Sequence, residues 1–278
     1  MEIRKIANKL GLLETFVERE YHLLNTLEEL RSSGLTEGYE QLVLGGGHGV
    51  RSYLPQGLQR FSIDLDFYSN LKDFLRIKSQ LESMKFEYVG YGASDDGVFK
   101  RYDAPLPEGF SKGTLAFTRS YLQQFKIGAV PPVFYVTVCN DLKINGIEMR
   151  RPRSYIPIDY VKGDVPVLQA EVIIASKIRI LTVRQVKDLY KDLFDIYALY
   201  SNSSVNDDRV VSSLKQFTPR ISEHEVHERI KHASHVDEAK RAIKLPKNGS
   251  SILKDWKAIT ANLRSKIISL LKDASCLK

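Results

Sequence analysis

Apolar residues recur at helical spacing in "ETFVEREYHLLNTLEELRS", residues 14–32. Phe16, Tyr21, Leu24, Leu27 and Leu30 make one stripe there, and Gly34 supplies a stop. A short apolar run over 40–44 reads as a buried strand, Gly45 to Gly47 as a tight turn, and 48–54 as a helix closed by Pro55. The pattern then switches to period two in "FSIDLDFY", residues 61–68. Phe61, Ile63, Leu65 and Phe67 fall on one side, and Ser62, Asp64, Asp66 and Tyr68 on the other. A helix is predicted over 71–85, with strands near 86–91, 97–102, 114–119 and 133–140, the last of which is β-branched and aromatic. From Val167 onward, "VLQAEVIIASKIRILTVRQVKDLYKDLFDIYALYS" reads as helix throughout, and most of the remaining chain is helical too. The pattern predicts an α+β chain with a sheet domain over residues 1–165 and a mainly helical domain over 166–278.

Composition narrows the class. The 278 residues are 43% hydrophobic and 27% charged, the balance of a globular protein that buries a core without covalent staples. Cys139 and Cys276 lie too far apart in sequence to suggest a disulfide framework and fit a reducing cytosol. Charges interrupt the N-terminal apolar residues every few positions, unlike a secretion signal. No run approaches the ~20 apolar residues of a membrane helix. A cytoplasmic protein with no membrane partner is expected. The net charge is +7, and from Val205 onward 15 Lys and Arg stand against 9 Asp and Glu, so that tail carries +6 of it. Such a tail suits a polyanion such as RNA, and equally a solvated helical surface.

Two features point to chemistry. Asp64 and Asp66, at i and i+2 on a predicted strand, project to one face about 7 Å apart. Carboxylates that close repel one another unless a cation lies between them. Mg²⁺ takes hard oxygen ligands and keeps several waters, so two aspartates plus substrate phosphates suit it. An isolated D-x-D on a solvated strand face would look the same, so the preceding glycines matter. A strand, a bare glycine turn and a helix start can cradle a phosphate through backbone N–H groups. No Lys-Ser or Lys-Thr pair comes after the glycines, so this is not a Walker A loop. Together the features suggest metal-assisted chemistry on a nucleoside triphosphate. His224, His227, His232 and His235 lie on or near one helical stripe, but without H-E-x-x-H spacing or a nearby Cys they read as a polar face.

The order of two glycines, a helix and "R-x-S-x-D-x-D" resembles the nucleotidyltransferase fold, and within it the AbiEii-type toxin family of type IV toxin–antitoxin systems. Gly46, Gly47, Arg60, Ser62, Asp64 and Asp66 stand at that family's first motif. A second match, "SKIRILTVR" and then "KDLFDIYAL", resembles the family's later helical motif, with Lys177, Arg184, Lys191, Asp192 and Asp195 in its places. The resemblance spans roughly residues 15–200. It implies a mixed sheet with flanking helices, ahead of a mainly helical C-terminal domain. It further implies a site in which Asp64 and Asp66 hold Mg²⁺, Gly46, Gly47, Arg60, Ser62 and Arg184 contact the nucleotide, and Lys177 and Asp192 act in catalysis. A cognate antitoxin is implied, and tRNA at its 3′ end is admitted as the acceptor. Three departures stand out. Gly47 and then His48 occupy positions where the family usually has Ser or Thr after its second glycine. A third acid, usual on a later strand, has only Thr137 and Asp141 as counterparts in "YVTVCND". Extra residues between Arg184 and Lys191 also leave Asp188 as a competitor for the place of Asp192.

Helix geometry constrains the later motif. In one continuous helix Lys177 and Asp192 would lie about 22 Å apart, at ~1.5 Å per residue. If both serve one triphosphate the helix must break between them, near Val183 to Lys187. With no functional role, "KDLYKDLFDIYALY" would be an amphipathic helix that buries Leu189, Leu193, Ile196 and Leu199 and solvates most of its charges. The residues suggest metal-assisted chemistry on a nucleoside triphosphate, and the resemblance implies a Mg²⁺-dependent nucleotidyltransferase toxin moving a nucleotide from that triphosphate to an acceptor hydroxyl. A D-x-D glycosyltransferase using a nucleotide sugar, and a non-catalytic nucleotide- or RNA-binding module, remain as alternatives.

Overall fold

A computed structural model describes residues 3–37, 42–69, 74–92, 113–121, 133–140, 144, 146–157, 160–181, 186–216 and 221–277. The strand predicted over 97–102 lies outside the described residues, as do Asp141 and Arg184. The chain divides into two compact units. One comprises Met1–Ser52 with Phe61–Leu168, the other Tyr53–Arg60 with Gln169–Lys278.

The first unit opens with helices α1 (Ile3–Leu10) and α2 (Glu14–Ser32). Leu24, Leu27 and Leu30 of α2 are buried as its stripe requires, and Gly34 takes φ +79 just beyond its end. Strand β1 (Val43–Leu44) leads into the short helix α3 (Gly46–Arg51) and then β2 (Asp64–Tyr68). Helix α4 (Phe74–Ser83) precedes β3 (Glu87–Gly92), β4 (Thr114–Ser120), β5 (Val133–Cys139), β6 (Ile147–Arg150) and β7 (Val165–Leu168). These strands form one seven-stranded mixed sheet of order β3-β4-β5-β2-β1-β7-β6. β2 runs parallel to β5 and antiparallel to β1, and β1 runs parallel to β7.

Period-two alternation sorts the central strands into two faces. Leu65 and Phe67, Phe134, Val136 and Val138, and Leu115 and Phe117 are all buried on one face. The other face carries Asp64, Asp66, Tyr135, Thr137 and Thr118. Ile63 departs from the predicted alternation. It precedes the strand and is exposed, because β2 begins only at Asp64. β7 corrects the expectation of helix at Val167 and Leu168. All four of its residues are buried between β1 and β6, and a short apolar run buried on both faces shows no period.

In the second unit, Tyr53–Arg60 makes a single 3-10 turn at Gln56–Leu58. Helices α5 (Ala170–Leu181), α6 (Val186–Asn202), α7 (Asp207–Leu214), α8 (Glu223–His232), α9 (Val236–Ala242) and α10 (Trp256–Asp273) follow, with a 3-10 helix at Ser250–Asp255 ahead of α10. The run predicted as one helix is thus two, α5 and α6, divided between Leu181 and Val186. Side-chain oxygens cap two N-termini: Asn206 accepts from the N–H groups of Asp208 and Arg209, and Ser222 from that of Glu225. Trp256 is fully buried and donates its indole N–H to the Ala233 carbonyl at 2.9 Å. The 53–60 segment is tied into this unit at Gly57, where a Cβ on Gly249 would stand 1.7 Å from the Gly57 carbonyl oxygen. Only a bare backbone at 249 admits that approach.

Candidate active site

The first unit brings the glycines and the paired acids together. Gly45 donates its N–H to the Asp66 carbonyl at 2.8 Å, which pins the turn to strand β2. Gly46 has φ +52, and a Cβ there would lie 1.9 Å from Asp66 Oδ2. Glycine at 46 is therefore required twice, by the left-handed backbone and by the carboxylate resting against its Cα. Gly46 and Gly47 form the first turn of α3 rather than a turn ahead of a helix beginning at 48.

Asp64 and Asp66 are half-buried on the open sheet face. Each carboxylate receives one hydroxyl. Ser62 Oγ donates to Asp64 Oδ1 at 2.9 Å, and Thr137 Oγ1 donates to Asp66 Oδ1 at 2.8 Å. Thr137 pairs with Asp66 in the β2–β5 register. Of the two counterparts to a third acid, Asp141 lies outside the described residues, and Thr137 offers a hydroxyl to an acid instead of adding one. The donor set of two carboxylates one pleat apart suits a hard cation that completes its shell with phosphate oxygens and water. Among the described residues, no group of three or more His, Cys, Asp or Glu side chains has metal-binding spacing.

Behind the glycines sits a buried polar cluster that sequence reasoning missed. Arg51, fully buried in α3, donates to Glu20 Oε1 of α2 at 2.6 Å and lies 2.8 Å from His48 Nε2. Ser154 Oγ donates to the same Glu20 oxygen at 2.6 Å, and the Arg51 guanidinium stands 5.4 Å from the centre of the Tyr155 ring. Burial, and after it the Glu20 charge, push the Tyr155 phenol well above its ordinary value. His48 is thereby turned into the core and packs against Arg51. The only sequence signal was Glu20 falling on the stripe of α2 that also buries Leu23, Leu24 and Leu27.

The second unit gathers the later motif. Lys177 Nζ of α5 donates to Asp192 Oδ1 of α6 at 2.7 Å and lies 2.8 Å from Asp195 Oδ2. The division between α5 and α6 brings residues fifteen positions apart into contact, as the rise of a helix requires. Asp195 also receives both Nε and Nη2 of Arg60, at 2.7 and 2.6 Å. Two cations and two anions thus share one buried cluster, with Asp192 and Asp195 fully buried and Lys177 and Arg60 nearly so. Charges at these depths persist only when paired. Burial pushes the Asp195 carboxyl up, but the Arg60 guanidinium and the Lys177 ammonium outweigh it and hold the group below the usual carboxylate range. Leu189, Leu193, Ile196 and Leu199 are buried as predicted, whereas Asp192 and Asp195 are not solvated. Arg60, expected at the nucleotide, makes a bidentate pair with Asp195, and Asp192 meets Lys177, while the side chain of Asp188 lies outside the described residues.

The sequence profile described as "Nucleotidyl transferase AbiEii toxin, Type IV TA system" matches residues 32–269. Among solved structures, the chain is similar to MenT4, a nucleotidyltransferase toxin from Mycobacterium tuberculosis H37Rv, with 15% identity, all of both chains covered and a TM-score of 0.54. It is also similar to JHP933 from Helicobacter pylori, with 16% identity, 91% of this chain and 94% of that one covered and a TM-score of 0.47. The first likeness supports the fold. No curated protein sequence matches the chain. Among the described residues, no helix is long and apolar enough to cross a membrane.

Proposed function

Since the chain belongs to the AbiEii family of nucleotidyltransferase toxins of type IV toxin–antitoxin systems, we propose that it transfers a nucleotide from a nucleoside triphosphate to the 3′-hydroxyl of an RNA, with tRNA as the acceptor and Mg²⁺ as the cofactor. The acceptor hydroxyl gives its proton to water as its oxygen forms a bond to the α-phosphorus, the α–β phosphoanhydride bond breaks, and pyrophosphate leaves. The observation that carries this reading is the fit of Gly46 against Asp66, where a Cβ would stand 1.9 Å from a carboxylate oxygen. A bare turn is kept in contact with an acid pair, which serves a phosphate and its counter-ion better than it serves folding.

Asp64 and Asp66 would hold Mg²⁺, with Ser62 and Thr137 fixing the orientation of the two carboxylates. The ion would offset the charge that develops on the phosphate oxygens. Backbone N–H groups at Gly46 and Gly47 would receive the phosphates departing as pyrophosphate. For Lys177 we propose the role the family motif implies, offsetting triphosphate charge, with Asp192 setting the direction of its ammonium group. A cognate antitoxin is the expected partner.

Incubation with each α-labelled nucleoside triphosphate, Mg²⁺ and total tRNA, and then a denaturing gel, tests the reading. Label should enter RNA, and Asp66→Asn should abolish the signal while its circular dichroism spectrum stays that of the wild type. Absence of labelled RNA with all four nucleotides would refute an RNA acceptor. Release of a nucleoside diphosphate from a nucleotide sugar would redirect the assignment to glycosyl transfer.

A further inference from the structure

The open sheet face extends past the acid pair in a direction that the proposed chemistry makes informative. Asp64 on β2 pairs in register with Tyr135 on β5, and Tyr135 pairs with Thr118 on β4. Partners in register point to the same face, so Asp64, Tyr135 and Thr118 form one row across neighbouring strands roughly 4.8 Å apart. The glycines come after β1, on the opposite side of β2 from β5. Tyr135 is 43% exposed, although β5 is an interior strand flanked by β4 and β2. Its neighbours on the other face, Phe134 and Val136, are fully packed. What sets this ring apart from a singly exposed apolar residue is its place, in register with Asp64 on the face of the acid pair.

In-line displacement gives this row a use. If pyrophosphate leaves toward the glycines on the β1 side and the α-phosphate rests at the carboxylates of β2, the attacking hydroxyl must approach from the β5 side. We propose that Tyr135 is the platform on which the terminal base of the acceptor strand stacks, with the Thr118 hydroxyl beside it, so that the β4–β5 half of the open face is the acceptor subsite. This rests on the nucleotidyl-transfer reading, and the occupant is the 3′ end of a single-stranded RNA. A phenol ring offers a π-face to any base, which aligns a terminal hydroxyl without demanding a particular sequence. The ring and the register carry this assignment, because +6 of the net charge of +7 lies from Val205 onward and not on this face.

The test uses the full chain and a fluorescein-labelled single-stranded RNA of about eight nucleotides with a free 3′-hydroxyl, read by anisotropy. Tyr135→Ala should weaken RNA binding about 5-fold to 140-fold, the range for loss of one base–aromatic stack. Tyr135→Phe should stay within about twofold of the wild type, since the ring is kept. Binding of Mg²⁺–tripolyphosphate, which has no base, should be the same in all three proteins by calorimetry. The assignment is overturned if Tyr135→Ala binds the RNA like wild type, if Phe loses as much as Ala, or if the wild type does not bind the RNA. Loss of affinity for ATP, GTP, CTP or UTP with RNA affinity intact would place Tyr135 at the nucleotide instead and also overturn it. Failure of the transfer reading shows separately, as no pyrophosphate release by the wild type from any triphosphate with tRNA present.

Discussion

Substitution of Gly46 by alanine separates two costs that fall on one added atom. The first is conformational: at φ +52 an alanine carries the left-handed backbone penalty, about 1–2 kcal/mol. That predicts a fall in Tm of about 2–8 °C. The second is steric and falls on the acid pair. The new Cβ would start 1.9 Å from Asp66 Oδ2, and real contacts do not fall below 3.0 Å, so the carboxylate must move by about 1.1 Å. Misplacement on that scale costs on the order of 100-fold in rate when the displaced group orders the reaction. Gly34→Ala is the matched control. Its φ of +79 carries the same backbone penalty, and its Cβ would meet nothing within 4 Å. Both variants should therefore lose similar Tm in a thermal melt, while only Gly46→Ala loses transfer, read as labelled RNA formed per minute. If Gly46→Ala keeps more than about a tenth of wild-type activity, or if the two variants lose activity equally, the contact with Asp66 is not what constrains the site.

Asp195→Asn should destabilise the protein by about 3–5 kcal/mol in urea unfolding, because it leaves Arg60 and Lys177 short of a buried counter-charge. Its folded carboxyl is depressed, so the stabilisation is fully present above the unfolded value near 3.8 and is lost as pH falls through the lower folded value. The stability gap between wild type and variant should accordingly narrow below about pH 4. Ser62→Ala and Thr137→Val each remove a hydroxyl from a carboxylate proposed to face the metal. Each should lower kcat/KM about tenfold and raise the Mg²⁺ concentration for half-maximal activity, and an unchanged Mg²⁺ requirement would count against the orienting role. If the C-terminal helices hold RNA, log affinity should fall against log salt with a slope of about −3 to −5, for roughly five phosphate contacts. Reversing three or four of Lys240, Lys244, Lys254, Lys257 and Lys266 should weaken RNA and spare Mg²⁺–triphosphate, and a flat salt response would make the tail a solvated surface.

Local periodicity alone makes the paired carboxylates visible. Asp64 and Asp66 break an apolar strand at period two, and few folding reasons put acids there. The meeting of Lys177 with Asp192 is legible too, because helix rise forces a break if the two are to touch. The partners of Arg60 and Arg51 are not. Arg60 finds Asp195 at a separation of 135 residues, and Arg51 finds Glu20 at 31, and nothing in local pattern encodes such pairings. Nor does pattern reveal β7, since an apolar run buried on both faces has no alternation to read. In sequence, Tyr135 resembles any aromatic in a β-branched strand. Only the register with Asp64 shows which face it is on.

The placement of Tyr53–Arg60 with the helices of the second unit has a consequence for how the protein is made. The chain passes between units at 52–53, 60–61 and 168–169, so no single cut yields two complete parts. On the ribosome, Arg60 emerges 135 residues ahead of the aspartate that neutralises it, a wait of roughly 7–27 s at ordinary elongation rates. Over that interval Arg60 waits for Asp195, and Gly57 waits longer still for Gly249. A toxin built this way is not assembled by its first 168 residues alone. A transcript truncated before α6 yields a chain with the acid pair but without the cluster of Lys177, Asp192, Asp195 and Arg60.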